Sequence, residues 1–575
     1  MNAFLKRATS LTLLIGVFLF IISLRIGWLQ IIRGSTYGEQ ASRQQAKTET
    51  IEAHRGEILA YEKSTLVPVA TTKEGWLMHI NPTLIKDPAK LYEDLARIAS
   101  TTMSRSDFIA RASKVGDPYE VVDRRVAPST KGVIDAARLA GIGFSQERWR
   151  FYPAADFASH VIGFVGADGT GQYGLERFYN DDLLGRDGAF IGEKTSSGKM
   201  LWFGNANLIP VEHGASLVST LDTGVQTNLE SIIKAIQEEY SATSAGGIII
   251  NPKTGRVIAM ASVPSFDPNK YFSVEDIAVF KNPLVEDLFE MGSVVKPLTL
   301  AAAIDTDAVN LKTTYNDTGS RVIDGRTIAN FDGKARGVVP IQEILSQSLN
   351  IGTVFVMEQL GKDRFREYMH RFGLGEKTGI DVPGEVSGKL SNLESSRLIE
   401  FATASFGQGI SMTGVEFTRA LSSIANGGFL VNPYIIEEIR YEGGKSIKKK
   451  RTDPRRVIKE ETSKTVTRML VEVVDKKLAN GKGRIPGYAV AAKTGTAQIA
   501  SKSSRGYSDE FMHTFFGYGP AYDPQFLVFL YIERPQGIRY ASESLTQPFR
   551  SIMKYLFSYF EIIPDRPQEL EAKTQ

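Results

Sequence analysis

Cysteine is absent from the 575-residue chain, which excludes disulfides, thiolate–metal sites and a cysteine nucleophile. Charge of one sign is equally lacking: 68 basic against 65 acidic residues leave a net charge of +3, so no global field points to nucleic acid or an acidic polymer as partner. Histidine is scarce, and the six present show no metal-ligand spacing, so no metal is expected. A phosphate loop is missing too. Gly192 to Lys199 resembles one, but its second glycine stands one position late and Met200 replaces the hydroxyl residue.

What is present begins at the N-terminus. From Ala8 to Leu24 no residue is charged, Arg25 interrupts, and Ile26 to Ile32 continues apolar around Trp28. These first 17 residues, at about 1.5 Å each, fall a little short of a roughly 30 Å hydrocarbon core, but Arg25 can snorkel and Trp28 can sit at the interface. Lys6 and Arg7 favour an inside N-terminus, and no A-x-A-like pair follows the run, so an uncleaved anchor is expected rather than a signal peptide.

The chain is too long for one core, and domain-size statistics suggest roughly two to four units. Residues 34–214 mix short strand-like runs with a helical stretch, Leu91 to Ile98, and a glycine-rich segment, His160 to Gly188. No chemistry there follows from spacing. From Ala215 the texture changes. Ser216 to Leu221 reads as a strand and Val225 to Glu239 as a helix, and Gly246–Asn251 and Arg256–Ser262 form a hairpin across Asn251-Pro252-Lys253-Thr254-Gly255. Helical segments follow, then strand-like runs at Tyr488–Gln498, His513–Gly519 and Gln525–Glu533. Strands, helices, then strands predict an α+β domain whose sheet is closed from both ends. The expected organisation is an anchor at 1–33, a mixed α/β module at 34–214, a second domain at 215–562 and a disordered charged tail at 563–575.

Three short patterns carry the chemistry. A serine and a lysine three apart at a helix start share one face, so the amine can take the hydroxyl proton. S-x-x-K alone is weak: it begins at Ser196, Ser231, Ser293, Ser446 and Ser551. Ser231 and Ser551 lie in amphipathic helical patterns, Ser446 in a lysine-rich run and Ser196 in a flexible loop, where solvated side chains are the bland reading. Ser293 differs, because Gly292, Val294, Val295, Leu298 and Leu300 place it at the first turn of a buried helix, the one position that tolerates Pro297. Burial would lower the pKa of Lys296 towards a usable base. S-x-N occurs once, as Ser348-Leu349-Asn350 at the end of an apolar helical stretch. K-T-G occurs at Lys253, Lys377 and Lys493, and only Lys493 continues from a strand into Thr494-Gly495-Thr496-Ala497-Gln498. There an extended substrate could add to the strand edge, with lysine and hydroxyls ready for a carboxylate.

In this order the three patterns resemble the signatures of penicillin-binding proteins and serine β-lactamases. Phe289-Glu290-Met291-Gly292-Ser293, Ser405-Phe406-Gly407-Gln408-Gly409, Ile424-Ala425-Asn426-Gly427-Gly428 and Lys493 to Gln498 resemble class B penicillin-binding proteins specifically. Upstream, Arg55-Gly56-Glu57-Ile58, Arg150-Phe151-Tyr152-Pro153, His160-Val161-Ile162-Gly163-Phe164 and Gly174-Leu175-Glu176 resemble the non-catalytic pedestal, or dimerisation, module of that class. One departure is visible: Ala60-Tyr61-Glu62-Lys63-Ser64 stands where the family usually has an Asp-Arg-Asn-Gly turn.

The resemblance implies a transpeptidase domain with an antiparallel sheet flanked by helices, needing no cofactor. Ser293 would attack the penultimate D-alanine of a peptidoglycan stem peptide, Lys296 would accept its proton, and Ser348 and Lys493 would relay it to the leaving amine. Asn350 would orient the donor, Thr494, Gly495 and Thr496 would bind it, and backbone N–H groups of Ser293 and Thr496 would form the oxyanion hole. Implied partners are stem peptides, β-lactams, a SEDS-family glycosyltransferase and other cell-division membrane proteins. The implied place is the bacterial cytoplasmic membrane, single-pass, catalytic domain outside. The His160 to Glu176 segment and the length resemble the division-specific branch; an elongation-type enzyme, a D,D-carboxypeptidase and a β-lactam sensor or β-lactamase are the alternatives. A class A β-lactamase would need a deacylating glutamate in E-x-x-L-N; Glu394 and Glu400 flank Leu398, but no asparagine follows it.

Overall fold

The structure is a computed structural model that describes residues 1–37, 46–99, 101–193, 207–450, 453–501 and 506–571. Its contacts divide the chain into two compact units, residues 1–54 with 184–214 and residues 55–183 with 215–575.

In the first unit the helix Asn2–Gly27 runs on into a π-helical turn, Trp28–Ile32. The stretch Ala3–Ile32 contains an 18-residue window of mean hydropathy 2.2 and is the one helix among the described residues long and apolar enough to cross a membrane. Arg25 does not end it, because its guanidinium lies over the Trp28 ring at 4.7 Å. The hydroxyls of Thr9, Ser10, Thr12 and Ser23 each donate to a carbonyl four residues back, so these four donors need no water. The unit also holds a three-stranded antiparallel sheet, with Gly188–Glu193 between Ala46–Ile51 and Asn207–Ile209. Ser196 and most of the Gly192 to Lys199 segment lie outside the described residues.

The second unit has two sheets. In the seven-stranded one, Ile58–Glu62 pairs parallel with Ser216–Asp222, which pairs in turn with Ile436–Arg440; on the other side follow Thr65–Ile80, Glu120–Val126 and Ile142–Phe151. Strands from either side of residue 214 thus share one hydrogen-bonded ladder. Residues 55–183 therefore pack with residues 215–575 in one compact unit. The unusual Ala60 to Ser64 segment is still a tight hairpin turn: Lys63 has φ +55° and its N–H donates to Asp222 Oδ2 at 3.2 Å.

The five-stranded antiparallel sheet has the order Val257–Val263, Ser244–Ile250, Phe526–Glu533, Tyr507–Gly519, Ala491–Ala500. The expected hairpin is there, and the sheet is closed by strands from both ends of the domain. Its faces are both covered: Phe529 packs on Phe417 of helix Gly414–Ala425, and Phe515 on Phe549 of helix Thr546–Tyr559. Two-sided burial explains why Ile248-Ile249-Ile250 and Phe526–Ile532 are continuous apolar runs rather than alternating ones. Ala491–Ala500 is the edge strand, so one of its sides is open to further pairing.

The tail corrects an expectation. Residues 563–571 are not disordered: Gln568–Glu571 is a short helix, Arg566 pairs with Asp475 at 3.0 Å, and Asp565 accepts from the Ala489 N–H at 2.8 Å. Composition does not distinguish a solvated charge from a paired one. Residues 572–575 lie outside the described residues.

Candidate active site

Ser293 stands in a 3₁₀ turn, Gly292–Val295, that leads directly into the buried helix Lys296–Asp305, with Pro297 in its first turn. The turn is clamped from behind. Gly292 has φ +64° and donates to the Gly407 carbonyl at 3.0 Å, and a Cβ on Gly407 would come within 2.3 Å of the Gly292 oxygen. The Ser405–Gly409 segment therefore works as a backbone wedge under the serine. Ser293 is half-buried and lines a groove of about 1360 Å³.

Lys296, one turn on, is fully buried. Its Nζ donates to the Ser348 carbonyl at 2.7 Å and to Asn350 Oδ1 at 2.8 Å, and lies 3.3 Å from Ser348 Oγ. Ser348 occupies the corner between helices Gln342–Ser346 and Asn350–Leu360, with φ +56° in the left-handed region. Such a backbone is strained for a residue with a side chain, and here it aims both the serine carbonyl and its hydroxyl at the lysine. Asn350 opens the second helix and also donates through Nδ2 to the Ala329 carbonyl at 2.8 Å, which fixes its oxygen towards Lys296.

The third pattern closes the ring. Lys493 Nζ donates to Ser348 Oγ at 3.1 Å and to the Thr494 carbonyl at 2.8 Å, so one hydroxyl bridges two amines. Burial, and after it the charge of Lys493, push the Lys296 pKa well below the lysine range. Burial pulls Lys493 down to about 7. A neutral Lys296 is a competent base, and a protonated Lys493 beside Ser348 is a proton source.

Along the edge strand every second residue, Thr494, Thr496 and Gln498, lines the groove. Gly495 does not. Expected against substrate, it is buried instead, and a Cβ there would lie 2.3 Å from Thr514 Oγ1 and 2.7 Å from the Met291 carbonyl. Its smallness lets the strand lie on the turn that carries Ser293. The other matches fall away: Ser231, Ser446 and Ser551 are exposed, and Lys253 pairs with Asp523.

Two family models match the chain, a penicillin binding protein transpeptidase domain over residues 245–554 and a penicillin-binding protein dimerisation domain over residues 50–219. Stage V sporulation protein D of Bacillus subtilis is 32% identical over 584 residues, covering 100% of this chain and 89% of that protein. The chain belongs to the class B penicillin-binding proteins. A peptidoglycan D,D-transpeptidase FtsI of Buchnera aphidicola is 27% identical, covering 97% of this chain and 96% of its own. Among solved structures, penicillin binding protein 2X of Streptococcus thermophilus matches with TM-score 0.74 at 22% identity, over 89% of this chain and 80% of that one, a likeness of fold.

In this class B penicillin-binding protein the upstream patterns also converge. Glu176 is fully buried and accepts from Arg55 Nε at 2.8 Å and Arg150 Nε at 2.6 Å, while Arg150 Nη1 reaches the Gly56 carbonyl at 2.7 Å. Sequence reasoning missed one wall of the groove. Buried His513 bonds the Arg539 carbonyl at 3.0 Å and Ser544 Oγ at 2.9 Å, and the Ala541 N–H donates to Thr496 Oγ1 at 3.1 Å. Two of those contacts use a backbone carbonyl or N–H, which carries no residue-type signal.

Proposed function

We propose that this protein is a peptidoglycan D,D-transpeptidase that cross-links stem peptides through an acyl-enzyme on Ser293. The observation that carries this is the convergence of Lys296, Ser348, Asn350 and Lys493 in one hydrogen-bonded ring beside the groove that Ser293 lines. Lys296, neutral through burial, takes the Ser293 proton as the hydroxyl attacks the penultimate D-alanine carbonyl. Lys493 and Ser348 hand a proton to the departing D-alanine, and an amine of a second stem peptide then resolves the ester. Asn350 orients the donor, Thr494 and Thr496 hold its carboxylate, and the N–H groups of Ser293 and Thr496 receive the oxyanion. Neither Glu394 nor Glu400 is among the residues lining the groove, where Glu543 is the one carboxylate among the described residues.

Residues 1–33 serve as the anchor, 34–214 as the non-catalytic pedestal and 215–562 as the catalytic domain. The catalytic domain faces out of the cytoplasmic membrane, beside a SEDS-family glycosyltransferase. A reporter that works only outside the cytoplasm, fused after Gln575, is active on this reading. We assign the protein to septal wall synthesis. The similarity to a stage V sporulation protein favours a second reading, wall synthesis in a sporulating cell. A tagged copy at the division site supports the first, and one confined to the developing spore the second. The chemistry itself is tested by covalent labelling with a fluorescent penicillin: Ser293→Ala abolishes it, Ser231→Ala, Ser446→Ala and Ser551→Ala do not, and undiminished labelling of Ser293→Ala ends the assignment.

A further inference from the structure

The groove beside Ser293 is lined by six cationic side chains, Arg326, Arg336, Lys477, Lys482, Lys493 and Arg539, against one carboxylate, Glu543. Two of the six are engaged: Lys493 holds Ser348, and Arg336 grips Asp332 through both its terminal nitrogens at 2.8 Å. Arg539 is not. Its neighbour on the same segment, Arg534, pairs with Glu510 at 2.9 Å and with Glu533, whereas the Arg539 guanidinium touches no carboxylate among the described residues. It lies over the rings of Phe511 at 5.9 Å and Tyr540 at 5.8 Å.

The backbone that presents Arg539 is held by hydrogen bonds to the edge strand and its neighbour. The Arg539 carbonyl bonds buried His513 at 3.0 Å, the same ring bonds Ser544 at 2.9 Å, and Ala541, two residues on, is tied to Thr496 of the edge strand at 3.1 Å. Tyr540 meets Phe331 edge-on at 5.9 Å. A guanidinium stacked on aromatic rings and carried on a fixed backbone loses little freedom when it binds, and its planar fork matches a carboxylate. The C-terminal carboxylate of a donor peptide is already served by Thr494 and Thr496 in the reading above.

We propose that Arg539 is a specificity residue for a second carboxylate on the donor peptide, one other than the C-terminal carboxylate. The protein therefore prefers stem peptides that keep a free side-chain carboxylate over those in which it is amidated. This rests on the transpeptidase reading. The test uses the full-length protein in detergent and two synthetic donors ending in D-Ala-D-Ala, one with a free carboxylate on the side chain of the preceding residue and one with that group amidated. Acylation is followed by intact mass. The wild type acylates with the free-carboxylate donor about tenfold faster, the return expected of one charge-assisted pair. Arg539→Gln brings the ratio to about one, and Arg539→Lys keeps part of the preference. A wild-type ratio of one, a ratio unchanged in Arg539→Gln, or an equal loss with both donors overturns the proposal. If the wild type takes neither donor nor penicillin, the transpeptidase reading falls and this inference with it; if it takes penicillin and the ratio is one, only the inference falls.

Discussion

At Glu176 two arginines meet one carboxylate that solvent does not reach, and around Ser348 two lysines meet hydroxyl, amide and carbonyl oxygens with no carboxylate among their partners. Both clusters are buried and both join segments far apart in sequence. In the first, opposite charges satisfy each other, and the result is a structural tie between the segment bearing Arg55, just before Ile58–Glu62, and the strand that bears Arg150. In the second, two amines are buried away from water, with the charge of Lys493 acting on Lys296 besides, and the consequence is amines whose protons are loosely held. A buried cluster that lowers the pKa of its own members without neutralising them is the signature of chemistry, and one that pairs them is the signature of architecture.

Lys296→Met breaks the comparison at its strongest point. The side chain keeps its volume and loses its base, so penicillin acylation falls on the order of a thousandfold or more, the range in which general bases act. Stability changes by no more than about 1 kcal/mol, since active-site residues are kept for function rather than stability. Stopped-flow acylation and thermal unfolding on the same preparation check both halves; a large loss of stability with acylation intact would reverse the roles assigned to the two clusters.

Glu176→Gln should do the opposite. Removing one partner of a buried ion pair leaves Arg55 and Arg150 uncompensated and costs about 3–5 kcal/mol. Arg150 Nη2 already lacks a hydrogen-bond partner among the described residues, so no spare acceptor there awaits the freed guanidinium. Labelling per folded molecule stays at the wild-type level. Denaturant unfolding together with the fraction labelled separates the two quantities, and loss of labelling in fully folded protein would make the Glu176 cluster part of the catalytic apparatus.

Gly495→Ala sharpens the boundary between the two kinds of cluster. A methyl 2.3 Å from Thr514 Oγ1 and 2.7 Å from the Met291 carbonyl must push the edge strand off the Ser293 turn. Overpacking of this sort costs about 1–3 kcal/mol. Because Lys493 and Thr496 ride on the same strand, acylation drops about tenfold as well, by misplacement rather than by loss of a reacting group. Equal acylation by the Gly495→Ala and wild-type proteins would show that the strand's distance from the turn is not critical.

The chemistry was more legible in the sequence than the architecture around it. Ser293 with Lys296, and Ser348 with Asn350, are separated by a turn or less of chain, so residue type and spacing alone place them together. Lys493 stood out because its run opens an edge strand. The shared ladder across residue 214, by contrast, pairs Ile58 with Leu217 and Leu217 with Ile439, contacts between segments that no local pattern links. The resemblance groups Gly495 with Thr494 and Thr496 as donor-binding, but a glycine reports only that something is close, and here that something is the Met291 carbonyl. The wall built on His513, Arg539 and Ala541 was invisible for the reason that it is held through a carbonyl and an N–H, which any residue supplies.

The smallest effect expected is also the one that reads the lysine pair directly. In the working state Lys296 is neutral and Lys493 charged, so acylation has an acid limb, where Lys296 gains a proton, and an alkaline limb, where Lys493 loses one. Burial sets the Lys493 pKa at about 7, and a group that must be protonated loses its effect as pH rises through that value. Between pH 7 and pH 8 the charged fraction of such a group falls about fivefold, and the acylation rate falls with it. Because the two amines share Ser348 Oγ, the midpoints belong to the pair. Lys493→Arg supplies a charge that does not titrate in this range, so whatever activity it keeps is flat from pH 7 to pH 8. Glu176→Gln, which touches no titrating amine, retains the wild-type profile. A flat wild-type profile, or an alkaline limb that persists in Lys493→Arg, would mean that Lys493 works in its neutral form and that the proton reaches the leaving amine by another route.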